Sequence, residues 1–167
     1  MNNATPILNF LIYWSIQVLI LRKIQLFEVA TCFLYLNFLL TLSKDLDRTV
    51  LLIIAFLLGF SVDIFYGTLG IHSAACVSIA FLRPFLLSFL TPKDKETDIS
   101  LREMGFNAFF TYLLITITLH HTLVFAIDMG DNLLITQTLT HIISSVLFTF
   151  VVIFIVQFLF LSQRKNI

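Results

Sequence analysis

Leu51 to Pro92 reads LLIIAFLLGFSVDIFYGTLGIHSAACVSIAFLRPFLLSFLTP, and this stretch decides the fold. Two strongly apolar runs flank the tight turn Tyr66-Gly67-Thr68-Leu69-Gly70. The charged or imidazole-bearing residues set into them are Asp63, His72 and Arg83, the last followed by Pro84. Each is costly in hydrocarbon. The runs are close to the ~20 residues that a helix needs to cross a bilayer, and they lack the alternation of apolar and polar residues that a membrane strand shows. The stretch therefore predicts a helical hairpin that enters the membrane, turns and returns.

Composition extends that reading to the whole chain. Of 167 residues 59% are hydrophobic and 12% charged, and mean hydropathy is +0.99, more apolar surface than one small water-soluble core can hide. The formal net charge is +0, so no basic excess points to nucleic acid. Cys32 and Cys76 both fall inside apolar runs, where a small buried thiol is the simplest reading.

Working outward from the hairpin, the pattern predicts an all-α integral membrane protein of one domain, residues 1–167, with six transmembrane helices at about 7–21, 26–42, 50–66, 71–90, 104–127 and 133–161. The first run has no basic segment ahead of it and no small-residue cleavage site after it, which reads as an uncleaved span. Thr91 to Glu103, TPKDKETDISLRE, is the long hydrophilic connector, mixed in sign. With the N-terminus in the cytoplasm, the inner segments carry Lys44, Arg48, Lys93, Lys95, Arg102, Arg164 and Lys165, and the outer turns only Arg22 and Lys23. The positive-inside rule thus puts both termini in the cytoplasm.

That topology assigns depths. At 1.5 Å per residue Asp63 lies roughly 6 Å below the outer turn, His72 a few ångströms past it, and His120, His121 and His141 about 10 Å from the outer ends of their helices. An outer polar cluster of Asp63, His72, His120, His121 and His141 results. It suits a metal or proton site, or else a structural set in which Asp63 and His72 pair or cap helix ends and the other histidines satisfy one another. His-x-x-x-His spacing is absent and the adjacent His120 and His121 point roughly 100° apart, which favours the structural set and predicts no metal or cofactor.

Gly67 and Gly70 allow the positive backbone angles of a sharp reversal, and Gly59 removes side-chain bulk where another helix approaches. Arg83 falls in the inner half of the fourth span, where it reaches the interface, freed backbone or a lipid phosphate, and Pro84 predicts a kink. Gly-x-Ser-x-Gly, His-Glu-x-x-His and phosphate-cradling glycine loops are all missing, so the sequence supplies no catalytic residue and reads as a non-enzyme.

Gly59-Phe-Ser-Val-Asp63 followed by Gly67-Thr-Leu-Gly70-Ile-His72 and a small-residue helix resembles the central hairpin of the MreD family, the bacterial rod shape-determining membrane proteins. The length, the mid-chain hairpin and the six runs are similar across essentially the whole chain, and Arg83-Pro84 and His120-His121 resemble one branch of the family. The resemblance implies a subunit of the cell-elongation complex that makes lateral peptidoglycan, located in the bacterial inner membrane. It implies contact with MreC, and through it with MreB, RodA and a penicillin-binding transpeptidase, with membrane lipid around it and no nucleic acid. The six-helix arrangement is also similar to the vitamin-binding subunits of energy-coupling-factor transporters, which supplies an alternative function, though fold alone does not transmit it.

Overall fold

The structure, a computed structural model, describes residues 4–91, 99–128 and 135–163. Most of the hydrophilic connector (residues 92–98), the acidic turn at 129–132 and the basic end Arg164-Lys165 lie outside the described residues. The described chain is predominantly helical, and four helices are long and apolar enough to cross a membrane: α3 (Arg48–Tyr66), α4 (Ile71–Leu90), α6 (Phe106–Asp128) and α7 (Ile135–Gln163). The chain is a multi-pass membrane protein.

Local chemistry sets the ends of these helices. The Asp47 carboxylate caps α3, accepting the backbone N–H groups of Thr49 (2.8 Å) and Val50 (3.2 Å). At its other end Gly67 (φ 71°) donates its N–H back to the Asp63 carbonyl at 2.9 Å, and Gly70 (φ 84°) opens α4. α4 continues through Pro84 to Leu90. A short helix α5 (Leu101–Met104) stops at Gly105 (φ 78°), where α6 begins.

The first apolar run forms α1 (Ala4–Leu19), one turn of 3-10 helix following at Leu21–Lys23. Its last turns lie beside the end of α3. Trp14 Nε1 donates to Ser61 Oγ (2.9 Å), Gln17 Nε2 to Tyr66 OH (2.7 Å), and the Arg22 guanidinium sits 5.9 Å from the Tyr66 ring centre.

The second run departs from expectation. Residues 26–42 are not one helix. A two-residue strand β1 (Gln25–Leu26) pairs antiparallel with β2 (Ala30–Thr31) through a reversal in which Phe27 and Glu28 take left-handed φ of 54° and 61°. Irregular chain follows to Tyr35, then the six-residue helix α2 (Leu36–Thr41). Even so, its second half is deeply buried: Tyr35, Leu36, Asn37, Leu39 and Leu40 are all at 0% exposure. Hydrophobic composition reports burial, and it cannot distinguish a helix facing lipid from a broken strand surrounded by other helices.

Non-helical backbone survives at membrane depth only where protein satisfies its polar groups. Here α7 supplies much of that. His141 Nδ1 lies 2.8 Å from the Val29 carbonyl, Ser145 Oγ accepts the Thr31 N–H at 2.9 Å, and Thr149 Oγ1 accepts the Phe33 N–H at 3.1 Å. Farther along, Gln157 Nε2 donates to Asn37 Oδ1 at 2.8 Å. The registers match because two residues of extended chain advance about 6.6 Å and four residues of helix about 6 Å. The broken segment therefore runs alongside α7 from His141 to Gln157. It is packed among Leu51, Ala55 and Leu58 of α3, Ala75, Cys76 and Ile79 of α4 and Phe109, Leu113 and Ile117 of α6.

Candidate functional site: the hairpin and its polar interior

Gly59 and Asp63 stand one turn apart on α3 and meet the beginning of α4 together. A Cβ on Gly59 would lie 2.5 Å from Ser73 Cα and 2.6 Å from the His72 carbonyl oxygen, so only glycine lets the two backbones come this close. Asp63, 2% exposed, then reaches across the turn. Its Oδ1 accepts the His72 N–H (2.9 Å) and the Thr68 hydroxyl (2.6 Å), and its Oδ2 accepts both the N–H and the hydroxyl of Ser73 (2.9 and 2.6 Å). The carboxylate is an N-terminal cap delivered to α4 from the neighbouring helix, where the helix dipole also favours negative charge. Asp63 meets His72 through the backbone N–H, and the imidazole turns elsewhere.

That imidazole belongs to a second cluster organised by the broken segment. The Tyr35 hydroxyl lies 2.9 Å from His72 Nδ1 and 2.9 Å from His120 Nε2. A phenol has one proton, so it donates to one ring and accepts from the other; because it meets Nδ1 of His72 and Nε2 of His120, the two neutral histidines hold the same tautomer, both Nε2–H or both Nδ1–H. Cys76 Sγ is 3.9 Å from His120 Nε2, and Phe33 packs against His72, His120 and His121 with ring centres 5.1, 5.7 and 4.9 Å away. His120 Nδ1 is buried without a hydrogen-bond partner.

The other two histidines serve backbone. His121 Nδ1 donates to the Ile117 carbonyl (2.9 Å), which leaves Nε2 to accept from Thr149 Oγ1 (3.1 Å), the same hydroxyl that receives the Phe33 N–H. His141 sits apart, on the Val29 carbonyl and against Phe125. The structure thus brings His72, His120 and His121 together around Phe33 and Tyr35, joins Asp63 to them only through main chain, and leaves His141 outside. Among the described residues, no three histidine, cysteine or acidic side chains are placed to hold a metal ion.

Arg83 works at the other end of α4. It is 1% exposed, donates through Nε to Tyr112 OH (3.2 Å) and through Nη2 to the Leu42 carbonyl, and Tyr112 OH in turn donates to the Leu40 carbonyl (3.1 Å). Carbonyls at a helix C-terminus lack intrahelical partners, and a cation there is favoured by the helix dipole. Arg83 and Tyr112 therefore close the end of α2. The proline that follows, Pro84, is exposed.

Several residues in this network carry no signal in a motif search. Gln17 is at 0% exposure and its side chain meets two groups of the broken segment, the Cys32 carbonyl (2.9 Å) and the Tyr35 N–H (3.4 Å). Thr149, Ser145 and Tyr112 act alike. The legible signal is a stripe on the last apolar run, His141, Ser145 and Thr149, spaced by four residues and so within one helix face, with Gln157 eight residues further along.

Compared with protein-family models, curated proteins and solved structures, the chain matches none.

Proposed function

We propose that this chain is a non-enzymatic scaffold subunit of the bacterial cell-elongation machinery, an MreD-like inner-membrane protein that binds MreC and through it MreB, RodA and a penicillin-binding transpeptidase. The observation that carries the reading is the use made of Asp63. Both of its oxygens are taken by donors inside the hairpin, so the acid that most invites a transport or catalytic role acts as a lock between α3 and α4. The same residues, Gly59, Asp63, Gly67, Gly70 and His72, are those in which the chain resembles the family.

The proposed topology has six passes with both termini in the cytoplasm. α1, the broken segment, α3, α4, α6 and α7 are the crossings. Two contacts support counting the broken segment: Arg22 before it lies over Tyr66 at the end of α3, and the Leu42 carbonyl at its close lies on Arg83, a residue level with the start of α3. Depletion of the chain from its native rod-shaped cell tests the functional proposal. Rounding of the cells, reversed by the wild-type chain, is the expected result; unchanged rods would remove the proposal.

A further inference from the structure

We infer that α6 pairs side by side with the α6 of a second copy of this chain, through the hydroxyls of Thr111, Thr118 and Thr122. The inference stands apart from the elongation-complex proposal and uses none of its residue roles. All three threonines are exposed, and helical steps of 100° place them within about 40° of one another, on the side of α6 opposite the buried Leu113 and His120. Exposed residues of α3 and α7 are large and apolar, as lipid requires: Ile53, Phe56 and Phe60 on one, Ile143, Leu147 and Val151 on the other. Among the described residues nothing hydrogen-bonds to the three hydroxyls of this α6 row. By contrast, Thr116 on the buried side of the same helix donates to the Tyr112 carbonyl at 2.7 Å, and the exposed Thr140 on α7 donates to the Thr136 carbonyl at 2.9 Å.

Acyl chains offer a hydroxyl no partner, and at membrane depth there is no water to do so, which leaves another protein to supply one. The spacing says of what kind. Thr111, Ile115, Thr118 and Thr122 follow one another by four, three and four residues, the seam along which two parallel helices mesh at a crossing of about 20°. Copies of one chain lie the same way up in the membrane, so the two-fold axis relating a pair runs along the membrane normal and sets each residue of the seam opposite its own counterpart. Like meets like at every layer. A charge or a lone donor fails across such an axis, whereas a hydroxyl both donates and accepts, and no charged residue stands between Thr111 and Thr122. The row is complementary to itself over about 16 Å of helix.

Disulfide cross-linking in native membranes and energy transfer between labelled copies in liposomes test the inference on the full chain. On mild oxidation Thr118→Cys and Thr111→Cys are each expected to give a disulfide-linked dimer, and Leu119→Cys, at nearly the same depth but about 100° round the helix, to give none. The native Cys32 and Cys76 are buried and add no background. Combining Thr111→Val, Thr118→Val and Thr122→Val keeps side-chain shape and removes the hydroxyls. The dissociation constant in liposomes is then expected to rise about twentyfold, the effect of three interhelical hydrogen bonds in a bilayer. Thermal unfolding shows whether the valine variant remains folded; if it does not, the cysteine and wild-type arms decide. Monomeric wild type in liposomes, as much dimer from Leu119→Cys as from Thr118→Cys, undiminished pairing of the folded valine variant, or Thr118→Cys linked to a different protein in place of itself would overturn the inference.

Discussion

The Asp63 carboxylate, on α3, accepts the backbone N–H of His72, on α4, at 2.9 Å, so a charge on one membrane helix caps the first turn of the next. Removing it strands the N–H groups of His72 and Ser73 and the hydroxyl of Ser73 in a buried site, and takes the acceptor from the half-buried Thr68 hydroxyl. With buried unpaired donors costing about 1–3 kcal/mol each, Asp63→Ala is expected to destabilise the chain by about 3 kcal/mol or more. Asp63→Asn, which retains one acceptor oxygen, is expected to lose less. Thermal unfolding in detergent ranks the variants, and equal stability of wild type and Asp63→Ala would refute the lock.

Gly59 and Gly67 provide a second comparison. Gly59→Ala drives a methyl group into the Ser73 main chain, whereas Gly67→Ala meets open space and suffers only from its φ of 71°. Overpacking costs about 1–3 kcal/mol, and here it also pulls Ser73 from Asp63. Gly59→Ala is therefore expected to be the more damaging of the two in the same unfolding assay; the reverse order would mean that close helix contact is not what the hairpin needs.

Gln17 supports a segment that has no regular hydrogen bonding of its own. Gln17→Leu keeps the volume but leaves the Cys32 carbonyl and the Tyr35 N–H unpaired in the interior. A loss of about 2 kcal/mol or more is expected, together with faster hydrogen exchange across residues 31–35. Unchanged exchange there would show that the segment does not depend on this side chain.

Labelling with a membrane-impermeant thiol reagent tests the path of that segment, since the native Cys32 and Cys76 are buried and form a silent background. Lys23→Cys and Leu69→Cys are expected to react from one side of the membrane and Ser43→Cys only from the other. Lys23→Cys and Ser43→Cys reacting from the same side would mean that residues 26–42 enter and turn back.

Much of this architecture is legible in the sequence. The hairpin turn, the ends of α3 at Tyr66 and of α4 at Leu90, and the bounds of α6 and α7 within a few residues follow from apolar run length and from Gly67, Gly70 and the polar connectors. The broken segment was not legible, because Phe33, Leu34, Leu36 and Leu39 are apolar whether they face lipid or protein. The evidence for it lies on other helices, in Gln17, Tyr112, Ser145 and Thr149, whose polar atoms have a use only if nearby backbone is not helical. The partners of the histidines are hidden in the sequence for the same reason. The histidines do not satisfy one another: Tyr35 bridges two of them, and His121 and His141 hold carbonyls. Arg83 likewise grips the end of α2, a helix that the pattern of apolar residues did not separate from the run around it.

Quantitative purification of the chain from its native membrane in mild detergent, with every accompanying protein identified, tests the central claim most directly. If the polar interior exists to hold the chain's own backbone in a shape that other proteins bind, MreC is recovered in stoichiometric amount with the wild type and is reduced in the Gly59→Ala preparation. A preparation free of MreC, whose thermal stability instead rises with a vitamin-sized compound, would contradict the account.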